Sequence, residues 1–113
     1  MTKHYSADSL KEIAQDDLDF MKVVAQTFLD EIPPDLNSMQ EAIHNDNKEL
    51  AYQFAHKMKP NLEMFGVDLS KEITAIESWS KTSKNKAIVE TPLENIVTTL
   101  HAVFGELKED FSL

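Results

Sequence analysis

The chain has no cysteine, which removes structural disulfides, thiolate metal sites and cysteine nucleophiles at once. Arginine is missing too, since all 11 basic residues are lysines. Without it there is no planar fork for bidentate capture of phosphate or carboxylate. Two glycines and four prolines supply little of the turn chemistry that a run of short strands requires. No apolar segment approaches the roughly 18 residues of a membrane span. The opening MTKHYSADSLKE has no apolar run after its basic residues, so no secretory leader is expected in it. Positive charge is scarce, and a net charge of −9 argues against nucleic acid as a partner, because such binding needs a basic face. A length of 113 residues fits one domain, 1–113, with a core of its own. The expectation is a cytoplasmic protein, off the membrane, made of helices joined by short loops.

What the sequence does have is helical periodicity. Leu10, Ile13 and Ala14 suggest a short first helix after Ser6 or Asp8. In DLDFMKVVAQTFLDEI, Phe20, Val23, Val24, Thr27, Phe28 and Ile32 form one stripe. Pro33 and Pro34 interrupt it, yet Leu36, Met39 and Ile43 resume the pattern. The spacing predicts one long helix from about Asp17 to Asn45, bent or briefly broken at the prolines; two consecutive helices are the alternative. Asp46 followed by Glu49 reads as the N-cap of a third helix, and Gly66 as its stop. Leu69, Ile73 and Ile76 mark a fourth, shorter helix that fades into a solvated SKTSKNK stretch. Thr91-Pro92-Leu93-Glu94 reads as a capping box opening the last helix, with proline at its first position. The last stripe is Leu93, Ile96, Val97, Leu100, Phe104, Leu107 and Phe111. Amphipathic helices with short connections predict an all-α antiparallel four-helix bundle with a short extra N-terminal helix.

On the third helix, a wheel at about 100° per residue puts Leu50, Phe54, Met58, Leu62 and Phe65 on the core side, with Ala51 and Ala55 beside them. His56 falls nearly opposite and points outward, on a stripe with Glu49, Tyr52, Lys59, Pro60 and Glu63. Pro60 has no amide to give the carbonyl of His56 four residues earlier. The apolar register nevertheless continues from Met58 to Leu62, which predicts one kinked helix. A neutral imidazole is a nitrogen nucleophile, and Lys59 on the same side suits an ammonium paired with a phosphoryl group carried there. The plainer reading is an exposed surface histidine near lysines.

The segment FLDEIPPDLNSMQEAIHNDNKELAYQFAHKMKPNLEMFG resembles a histidine-containing phosphotransfer domain. That family is marked by an alanine-histidine pair, a hydrophobic residue, a lysine, a small residue and a later helix-ending glycine. Ala55, His56, Met58, Lys59 and Gly66 match those positions, and the preceding helix matches through Phe28-Leu29 and the stripe Leu36, Met39, Ala42 and Ile43. The likeness extends from about Leu10 to Phe111. One departure is Pro60, where the family usually has glycine.

The resemblance implies a non-enzymatic phosphorelay intermediate. His56 would take a phosphoryl group from the phosphoaspartate of one receiver domain and pass it to the aspartate of another, with Lys59 balancing its charge. Tyr52, Lys57, Pro60 and Glu63 would belong to the docking surface. The implied partners are response-regulator receiver domains and a hybrid sensor kinase, met by a monomer. No cofactor or metal is expected in the chain itself, Mg²⁺ being the receiver's.

Two rivals stand beside this reading. One is an adaptor of the same shape that binds receivers without carrying phosphate, for which Pro60 is the hint. The other is a metal site on Glu49, His56 and Glu63, but successive members lie roughly 10 Å apart along one helix, too far to share an ion. Of the other histidines, His4 falls in a mobile arm, His44 suits the negative end of a helix, and His101 reads as a half-buried boundary residue.

Overall fold

Ser6 starts the first helix: its hydroxyl accepts the Ser9 amide at 3.1 Å, and α1 spans Ala7–Ala14. This is a computed structural model, and it describes residues 4–113. Gln15 and Asp16 both take left-handed φ values, 52° and 63°, and turn the chain toward α2. There Asp17 caps the amide of Phe20, and α2 runs unbroken as Leu18–His44 with Pro33 and Pro34 inside it. One helix is found, not two. Pro34 and Asp30 lie on an exposed side, where water can serve the acceptor that the missing amide leaves.

Asp46 does not cap the third helix. It adopts φ 56°, because the chain must reverse there, and its amide reaches back to Ile43 while that of Asn47 reaches Ala42. This pair of back-bonds closes the end of α2. Capping passes to Asn47, whose side chain accepts the Leu50 amide, and α3 spans Lys48–Met64 through Pro60. Its far end repeats the device: Gly66 (φ 65°) bonds back to Glu63, and Val67 to Leu62 at 2.9 Å. Here glycine is required twice over, since an added Cβ would also meet Ser6 Cβ at 2.5 Å.

Helix α4 (Ser70–Ser80) follows directly. The segment after it is exposed but pinned: the Lys48 ammonium donates to the carbonyls of Thr82 and Lys84, and the Trp79 indole N–H to that of Lys84. A 3-10 turn, Lys86–Val89, then leads into α5, Glu90–Asp110. The predicted capping box does not form. Because the turn feeds α5 from Glu90, Thr91 and Pro92 lie inside its first turn, and no side chain caps it. Pro92 costs nothing there, as the first four amides of a helix have no internal partner.

Helix α2 packs on α3, α3 on α4, α4 on α5, and α5 on α2, with α1 against α2. Leu10, Ile32, Met39, Met58, Phe65, Ile73, Ile76, Trp79, Ile96, Leu100 and Leu107 fill the interior. Among the described residues no strand occurs and no helix is long and apolar enough to cross a membrane.

Two stripes are rotated from their predicted positions. In α2, Phe20 and Val23 are exposed, while Met21 and Ala25 turn inward. In α3, Leu50 is exposed, and Ala51 and Ala55 are fully buried. The alanines win because a helix can approach closely over small side chains, and α3 is held against both α2 and α4. His101 is exposed rather than half-buried. His4 is anchored: its amide and its ring both engage the Glu106 carboxylate.

Candidate functional site

The centre of the exposed face of α3 is His56, whose side chain is 65% exposed. Ala55 and Met58, fully buried on either side, fix the rotation of the helix that turns the imidazole outward. A turn earlier, the Tyr52 ring lies nearly parallel to it, with centroids 5.6 Å apart and planes at 7°. The Lys81 ammonium also sits over the Tyr52 ring, 5.3 Å from its centroid. Lys81, at the end of α4, thus meets Tyr52 of α3, and stacking on Tyr52 favours one orientation of the imidazole.

Glu77 of α4 closes the other side. One carboxylate oxygen lies 3.2 Å from His56 Nδ1, and the other 3.5 Å from the Lys59 ammonium. The Glu77 side chain is only 14% exposed. A carboxylate accepts hydrogen bonds and cannot donate them. In the neutral ring, therefore, Nδ1 carries the proton and Nε2 keeps its lone pair. The result is a nucleophilic nitrogen on an exposed ring, with the Lys59 ammonium on the same carboxylate.

The predicted residues do not all share this site. Tyr52, His56 and Lys59 are drawn together, and Pro60 and Glu63 are exposed on the same helix. Lys57 is turned the other way, where its ammonium meets Asp35 of α2 at 3.0 Å. That carboxylate is buried, and its second oxygen has no hydrogen-bond partner among the described residues. The position of Lys57 follows from helix geometry, since one residue beyond His56 is about 100° around, on the α2 side.

Sequence reasoning missed Glu77 and Lys81. Glu77 follows Ile73 by four residues and so shares its inward face, a signal that a charge there has a use. Which residue it serves depends on how α4 lies against α3, and spacing does not encode that. Among the described residues no group of three or more His, Asp or Glu side chains is placed to hold a metal ion. Comparison with family models, curated proteins and solved structures finds no match.

Proposed function

We propose that the chain is a histidine-containing phosphotransfer domain that carries a phosphoryl group on His56. One observation carries the reading: an exposed imidazole at mid-helix whose Nδ1 is engaged by Glu77, the same carboxylate that meets the Lys59 ammonium, which leaves Nε2 as the nitrogen with the free lone pair. The order of contacts supports the finer architecture, an antiparallel four-helix bundle of α2 to α5 with α1 as the extra helix.

In the proposed step, the Nε2 lone pair attacks the phosphorus of a receiver's acyl phosphate. The N–P bond forms, the P–O bond breaks, and the aspartate leaves as carboxylate. A second receiver's carboxylate then reverses the sequence. The chain has no kinase activity of its own in this role; the acidic pocket and its Mg²⁺ belong to the receiver. Tyr52, Pro60 and Glu63 belong to the docking face, while Lys57 serves the α2–α3 contact. A cytoplasmic monomer working between a hybrid sensor kinase and response regulators fits the role.

The test is direct. Incubated with phosphorylated receivers, wild type should take up label that is lost in acid and survives base, and His56→Gln should not. Binding without label would favour the adaptor, and neither would sink both.

A further inference from the structure

Glu77 touches both groups that the proposed carrier uses, and it does so with a charge. The geometry points to Glu77 as a positioning residue that keeps the His56 ring protonated at Nδ1 while Nε2 carries phosphorus, so that the phosphoryl group is held ready to leave. This inference rests on the reading of His56 as the phosphoacceptor.

The chemistry follows from where electrons go when the N–P bond breaks. The bonding pair returns to Nε2. If Nδ1 has kept its proton, the ring departs as neutral imidazole; if not, it must leave as an imidazolide anion, a far poorer leaving group. A carboxylate oxygen 3.2 Å from Nδ1, on a side chain only 14% exposed, stabilises the protonated ring and so favours loss of the phosphoryl group. The other oxygen faces the Lys59 ammonium at 3.5 Å, so Glu77 also competes with the phosphoryl group for that charge. Both effects shorten storage.

Other charges lie on two neighbouring elements. Glu49, Lys59 and Glu63 share the outward stripe of α3, and Glu77 and Lys81 belong to the end of α4; Asp35 of α2 is paired with Lys57 on the side turned away. Glu77 is the carboxylate in contact with the ring.

The experiment uses phosphoramidate, a small donor that needs no receiver, on chains in which His4, His44 and His101 are glutamine. Nε2 attacks phosphorus, the N–P bond of the donor breaks, and its protonated nitrogen leaves as ammonia. NMR identifies the ring nitrogen modified, and loss of label is followed against pH. Wild type should carry phosphorus on Nε2. Glu77→Gln should hold it about threefold to tenfold longer at neutral pH, with the midpoint of acid-promoted loss moved to lower pH. Equal lifetimes and equal midpoints in the two chains would overturn the role of Glu77, as would modification of wild type at Nδ1. Because the donor is not a protein, this result stands apart from the relay test: receivers that never label wild type would overturn the relay reading alone.

Discussion

The Tyr52 ring and the His56 imidazole lie face to face one helical turn apart, with their planes only 7° from parallel. Tyr52 also takes the Lys81 ammonium on its ring, and its stacking braces the imidazole. Tyr52→Ala should therefore leave the fold alone, with Tm within about 3 °C of wild type. Uptake of phosphoryl label at His56 should slow a few fold, because stacking worth about 1 kcal/mol is lost. A Tm change much larger than this would make Tyr52 a packing residue instead.

Gly66 joins two demands that no other residue meets together. Gly66→Ala would place a side chain at φ 65° and bring its Cβ to 2.5 Å from Ser6 Cβ. The left-handed conformation alone costs roughly 1–2 kcal/mol. Ser6 cannot withdraw freely, since it caps α1 and its amide is bound to the Phe65 carbonyl at 2.7 Å. The variant should lose about 2–4 kcal/mol, read as a fall in Tm of about 10 °C.

Lys57 and Asp35 test whether the site and the core are separable. Lys57→Met leaves the Asp35 carboxylate, already buried with one oxygen unpaired, without its cation. A loss of about 1–2 kcal/mol is expected. Adding Asp35→Leu should recover most of it, since the pair would then be replaced by apolar contact. Phosphoryl uptake at His56 should stay near wild type in both variants.

Tyr5 gives the chain an alkaline signature. Its hydroxyl donates to Asp110 at 2.5 Å, and burial first, then that bond and the charges of Asp110 and Glu106, push it well above the ordinary phenol value of 10.0. The folded state thus prefers the neutral ring. The contribution is fully present below about pH 10 and fades as pH rises through the higher folded value. Tyr5→Phe should be about 1 kcal/mol less stable than wild type at pH 7. Denaturant melts at rising pH should show that gap closing above pH 10.

Local signals carried most of the fold. Ser6, Asp17 and Gly66 act at the termini that the sequence assigns them, because caps and stops depend on neighbours within a few residues. Reading failed where a longer-range fact decided. Asp46 and Asn47 are both good cap residues, and only the reversal between α2 and α3 chose the second. Thr91 has the right spacing for a capping box, but the preceding 3-10 turn had already begun the helix. Leu50 and Phe20 follow a sound apolar period, yet close approach over Ala51, Ala55 and Ala25 rotated both stripes. Of the site, His56 was legible because exposure follows from angle on one helix. Glu77 was not, because its contact crosses between two.

The one tryptophan of the chain sits two residues beyond Glu77, only 2% exposed, with Lys48 held 5.0 Å from its ring centroid. This makes the molecule its own optical gauge. Its emission should lie to the blue in the folded protein and move to the red when α4 separates from α3, so a shift of the helix that bears Glu77 can be followed without attaching any dye.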